Sequence, residues 1–140
     1  MKQFIAAAGL AFSLLASNFV CASEPYGIGL EGFAYPYPVA MLAVPGEGEA
    51  LRLAYMDVKP TGPANGRSIV LLHGRNFPSS YWEPTIKALA GAGYRVVVPD
   101  QVGFGKSSKP TAPLSFDLLA RHTLALLDHL GLGKVDIVAQ

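Results

Sequence analysis

The chain reads as an α/β protein: a β-hairpin followed by a mostly parallel βαβαβ sheet with helices on both faces. Three observations predict it. Ile69-Val70-Leu71-Leu72, Val96-Val97-Val98 and Val135 to Ala139 are short, continuous apolar runs of the kind found in strands buried on both faces. Two segments of helical length, Trp82 to Ala92 and Phe116 to Leu130, separate them. Strand and helix alternating at these lengths implies right-handed βαβ crossovers.

Along the chain, Met1-Lys2-Gln3 is a short basic start, and Phe4 to Val20 is about 17 apolar and small residues without a charge. Val20-Cys21-Ala22 fits a small-x-small cleavage site, so residues 1–22 are expected to be a signal peptide cut after Ala22. The stretch is too diluted by Ser13, Ser17 and Asn18 to favour a membrane anchor. Cleavage there removes Cys21, the only cysteine, and Lys2, leaving a mature protein of balanced charge, periplasmic or secreted. Residues 23–38 are rich in Gly, Pro and Tyr and end in Tyr35-Pro36-Tyr37-Pro38. Alternating prolines favour extended backbone, so this is an N-terminal arm whose tyrosines cover apolar surface.

Residues 39–140 form the domain proper. Val39 to Val44 is the first strand and Pro45 to Glu49 a turn. Leu51 to Val58 alternates, with Leu51, Leu53, Tyr55 and Asp57 on one face and Arg52, Ala54, Met56 and Val58 on the other. Lys59 to Arg67 is a loop. The first helix ends at Gly93, a C-cap glycine; the second has Ser115 as N-cap, Asp117 at its positive end and Gly131 after it.

Hydrophobic residues make up 51% of the 140 and charged residues 15%, which favours a packed core over disorder. A net charge of +1 gives no footprint for nucleic acid or an acidic membrane. His122 and His129 are seven apart on one helix, about 10 Å along its axis, too far to share a metal. Both are expected at the surface or its boundary, and no metal or cofactor is expected. Gly105-Lys106-Ser107 imitates a phosphate loop, but the glycine required five residues earlier is Asp100, and Pro110 and Pro113 block the helix that must follow.

In open parallel sheets, ligands bind at the carboxyl ends of the strands. His73-Gly74-Arg75-Asn76-Phe77 and Asp100 to Ser108 leave two such ends. Glycine after a buried strand permits a sharp turn that aims backbone N–H groups at a cavity. Asn76, Phe77 and Tyr81 are candidate pocket-lining residues, and Trp82 is expected to pack under the loop.

From Ser68 to Gln140 the chain resembles α/β-hydrolase-fold enzymes. The likeness rests on Val70-Leu71-Leu72-His73-Gly74, Trp82, Pro99-Asp100, Gly103-Phe104-Gly105 and Ser107 in that order. The Tyr35–Pro38 arm, Ala54 to Val58 and Asn65-Gly66-Arg67 are similar to the secreted bacterial members. The resemblance implies the N-terminal half of that fold. It gives Arg75 the role of oxyanion donor through its backbone N–H, and makes His73, Gly74, Asp100, Gly103 and Gly105 loop-supporting. The catalytic His lies far downstream in that family, so His73 is not assigned to catalysis. The strand ending at Ala139 would deliver the nucleophile of a G-x-S-x-G turn at position 141, so the chain is expected to stop just before it and to be inactive alone. The exposed strand edge then left is expected to make the mature chain association-prone. A Ser nucleophile implies an esterase, lipase or peptidase, and an Asp nucleophile a dehalogenase or epoxide hydrolase; Ser is preferred from the secreted likeness. A truncated, non-catalytic product is the remaining alternative. The substrate implied is a small molecule.

Overall fold

The computed structural model describes residues 25–46 and 48–140. The expected signal peptide and its cleavage site lie outside the described residues.

Five strands form one sheet in the order β1-β2-β4-β3-β5. They are β1 (Val39–Val44), β2 (Leu51–Val58), β3 (Ser68–Leu72), β4 (Arg95–Asp100) and β5 (Asp136–Ala139). The hairpin β1–β2 is antiparallel and β2 meets β4 antiparallel, whereas β3 runs parallel to both β4 and β5. Helix α1 (Glu83–Gly91), entered through a 3-10 turn at Ser79–Trp82, connects β3 to β4. Helix α2 (Phe116–His129) connects β4 to β5.

The faces assigned from the alternation of β2 are those of the two cores. Leu51, Leu53 and Tyr55 pack with Val70, Val97 and the α2 residues Leu126 and Leu127. Met56 and Val58 pack with Ile69, Leu71, Val96, Val98 and the α1 residues Ile86 and Ala90. Both faces of β2 are therefore covered, and Arg52 is its one exposed residue. Asp57 is accommodated by a two-pronged ion pair from Arg95, at 2.8 and 2.9 Å. Burial alone would raise its carboxyl pKa, but the hydrogen bonds from Arg95 and Lys59 outweigh it and hold the group below the ordinary carboxylate range.

The helix ends follow their sequence signals. Ser115 Oγ accepts the Leu118 N–H at 3.2 Å. Gly93, at φ 90°, closes α1 by donating to Ala90 O.

Two expectations need correction. The run from Val135 to Ala139 is not a strand buried on both faces: β5 begins at Asp136, lies at the sheet edge, and leaves Ile137 56% exposed. An apolar run reports what a strand is suited to face, not what covers it. His122 is not a surface residue. It is 1% exposed and its Nε2 donates to Pro45 O at 2.7 Å, tying α2 to the hairpin turn. Leu118, His122 and Leu126 recur every four residues, and that spacing turns all three toward the sheet. Only His129 is exposed.

Candidate active site

Parallel strands β3 and β4 end side by side, and the chain leaves each through a tight connection. After Leu72, His73 turns inward and is 3% exposed. Its Nε2 accepts the Gln101 N–H at 2.8 Å, which places the ring proton on Nδ1, where it donates to Gly74 O at 2.9 Å. The Gln101 side-chain amide returns a bond to His73 O at 3.0 Å. The ring thus laces the two strand ends together, with Phe104 edge-on at 5.4 Å. Both its nitrogens are engaged, which leaves no lone pair for taking a proton from a nucleophile.

Beyond His73 the chain makes a turn from Gly74 to Phe77, closed by Phe77 N–H donating to Gly74 O at 3.4 Å. Asn76, its third residue, has φ 71°. That is type II geometry, which Gly or Asn tolerates best. Arg75 and Asn76 are exposed, and among the described residues no acceptor meets either N–H. The turn therefore presents two donors. It also sits against the end of β5: Gln140 N–H donates to Leu72 O at 3.3 Å, and a Cβ on Gly74 would touch Gln140 O at 3.4 Å. Tyr81 Oη reaches over to donate to Gln140 Oε1 at 2.7 Å.

The connection after β4 is built differently. Asp100 is fully buried. One carboxylate oxygen accepts the Ser79 N–H at 2.6 Å; the other accepts the Tyr35 hydroxyl at 2.6 Å and the Lys106 N–H at 2.7 Å. Burial first, and the Asp100 carboxylate second, raise the Tyr35 pKa well above a free phenol's. Gly105, at φ 50°, lies where a Cβ would strike that carboxylate, and Gly103, at φ 97°, lies against Leu114. Ser107 Oγ donates to Asp100 O and accepts the Ala54 N–H at 2.8 Å. Ser108 bonds Arg52 twice, through Oγ at 2.9 Å and its own N–H at 3.0 Å. The Lys109 ammonium donates to Gly105 O and Ser107 O at 2.7 and 2.6 Å. Burial pulls its pKa down, against the opposing charges of Asp100 and Glu31. The stretch resembling a phosphate loop is a clamp onto β2.

Asn76 and Phe77 line a cavity of about 320 Å³ shared with Gly103, Phe104 and the arm. Tyr81 lies on the other side of Pro78, in a separate groove of about 510 Å³ with Tyr35 and Pro36. Trp82 packs against the α1 core and stacks with Tyr81 at 4.9 Å. A third depression, of about 380 Å³, is at the opposite ends of β3 and β5, where Arg67 and Asp136 pair at 2.7 Å. Among the described residues no cluster of His, Cys, Asp or Glu is arranged to hold a metal ion. None of their helices is long and apolar enough to cross a membrane. Sequence reading missed the part of the arm in this site: Tyr35 promised coverage of apolar surface, and nothing nearby in the chain marks Asp100 as its partner.

Comparison with known proteins agrees with this frame. Residues 67–140 match the family model described as alpha/beta hydrolase fold. The chain is 47% identical over 72 residues to a haloalkane dehalogenase of Mycobacterium marinum, covering 51% of this chain and 23% of that protein. A solved structure from Pseudomonas aeruginosa, described as a probable hydrolytic enzyme, is similar with 51% identity and a TM-score of 0.79, covering 82% of this chain and 37% of that one. An epoxide hydrolase of Vigna radiata matches at 31% identity and a TM-score of 0.56, over 73% of this chain and 32% of that one. The chain thus spans well under half the length of these relatives. With the family model covering more than half of its residues, and the strand-end turns placed as described, the chain belongs to the α/β-hydrolase fold family.

Proposed function

We propose that the protein is an exported ester hydrolase, working through a serine nucleophile on the turn that follows β5, with the Arg75 N–H as its first oxyanion donor. The Arg75 N–H, which meets no acceptor among the described residues and lies on an exposed turn beside the end of β5, carries this reading. The nucleophile oxygen adds to the ester carbonyl, and the C=O electron pair moves onto oxygen. A fixed N–H stabilises that developing charge without having to reorganise. Collapse breaks the C–O bond and expels the alcohol, which takes up the proton lost from the serine hydroxyl; water then attacks the acyl-enzyme, releases the acid and returns a proton to serine. His73 is not the base of these steps, and Ser107 is not the nucleophile, since their polar atoms hold the loops. By this reading residues 1–140 alone are inactive.

The substitution Arg75→Pro tests the donor. Proline suits the second position of a type II turn, so the fold is retained while the N–H is lost. The expected result in the intact enzyme is a fall in kcat of about 10²–10³ on p-nitrophenyl esters, with Arg75→Ala near wild type. Equal rates in the two variants would place the oxyanion site elsewhere. Export is tested by the intact mass of the mature product, which should begin at Ser23.

A second reading, an aspartate nucleophile acting on haloalkanes or epoxides, is favoured by the similarity to the Mycobacterium and Vigna proteins. Covalent labelling by a fluorophosphonate supports serine. Halide release from a bromoalkane, or opening of an epoxide, without such labelling supports aspartate.

A further inference from the structure

We infer that the N-terminal arm is a specificity-determining wall of the substrate site, and that the cavity behind it takes the apolar acyl group of the ester. This rests on the ester-hydrolase reading above. The arm is not loosely laid down. Tyr35 donates to Asp100, and the Lys106 ammonium reaches Leu30 O at 3.2 Å while lying 5.0 Å from the centre of the Tyr35 ring. A turn from Gly27 to Leu30, with Leu30 at φ 53°, folds the arm back, and Phe33 packs edge-on against Tyr26 and Tyr35. These contacts set Ile28, Leu30 and Phe33 along one side of the 320 Å³ cavity and Asn76, Phe77 and Phe104 along the other.

Asn76 belongs both to this wall and to the donor turn, so the cavity lies beside the turn whose N–H groups meet no acceptor among the described residues. Its size is at the lower end for small-ligand sites, room for one compact group. Among the described lining residues Lys109 is the one with a charge, and its ammonium is turned onto loop carbonyls. Ile28 at 81% and Phe77 at 51% exposure leave apolar surface uncovered around the opening, which suits an apolar occupant. A straight acyl chain whose carbonyl sits at the Arg75 N–H fits both demands.

The product acids test this without catalysis. Acetate, butanoate and hexanoate are titrated into the intact protein by calorimetry. Affinity should rise about fourfold per added methylene up to hexanoate. Ile28→Ser, at an exposed position that leaves the core untouched, should weaken hexanoate several-fold and leave acetate unchanged. Ile28→Trp, which crowds the cavity wall, should reduce the chain-length gain. No chain-length gain in the wild type, or an undiminished gain in both variants, would overturn the proposal, a second copy or another part of the chain then filling the cavity. If the gain and its loss are seen but no ester is turned over, the acyl-hydrolase reading fails while the arm's role stands.

Discussion

Two connections leave the neighbouring ends of β3 and β4, and both combine glycine with polar residues. In the first, Gly74 to Phe77, the backbone donors of Arg75 and Asn76 meet no acceptor among the described residues. In the second, Asp100 to Lys109, the carboxylate, two hydroxyls and an ammonium are all taken up inside the fold. Composition does not separate the two. The difference is that the second crosses back over β2, where Arg52 and Ala54 require partners, whereas the first faces outward beside β5. A donor is available for chemistry where geometry denies it an internal partner.

This contrast can be broken by substitution. Asp100→Ala is expected to be the largest effect. It strands the buried N–H of Ser79 and that of Lys106 and frees Tyr35, at a cost of about 2–5 kcal/mol. Thermal unfolding of the intact protein measures it, and a loss below about 1 kcal/mol would mean that the second loop is no clamp. Ser107→Ala comes next, at about 1–3 kcal/mol, because the Ala54 N–H is left unsatisfied in the core.

Tyr35→Phe should cost about 1.5–2 kcal/mol near neutral pH, the lower part of the range for a hydrogen bond to a charged acceptor, because Tyr35 is only half-buried. It also carries a pH signature. The folded state holds the Tyr35 proton more tightly than the unfolded chain does. The stability so contributed is complete below about pH 10 and is lost as pH rises beyond it. The wild type should therefore lose melting temperature faster than Tyr35→Phe between about pH 10 and 11. Parallel slopes would mean that folding does not raise the Tyr35 pKa. The smallest effect belongs to the first turn: Asn76→Gly relieves φ 71° and should change stability by less than about 1 kcal/mol. A large loss there would show that the outward turn is also a structural lock.

Much of this frame is legible in the sequence because it is local. Apolar runs marked β3 and β4, and Ser115 and Gly93 marked helix ends, since each signal lies within a few residues of what it specifies. The two faces of β2 follow from alternation alone. What could not be read depends on register between distant segments. Ser107 and Ser108 find Ala54 and Arg52 across more than fifty residues. Tyr35 finds Asp100 across sixty-five. His122 was legible in principle, by its four-residue spacing from Leu118 and Leu126, but its pairing with His129 seven residues on suggested an outward face instead. For β5, composition gave the strand, and its place at the sheet edge followed only from the family likeness.

The Ala54 N–H, deep in a central strand, rests on a serine side chain whose hydroxyl in turn leans on Asp100 O. Lifting the loop frees that amide while the strands on either side stay paired. In deuterated water, Ala54 should then exchange on the timescale of loop opening, and its buried neighbours in β2 on that of whole-sheet unfolding. Two nearby protons would keep separate clocks, one for the wall of the site and one for the fold.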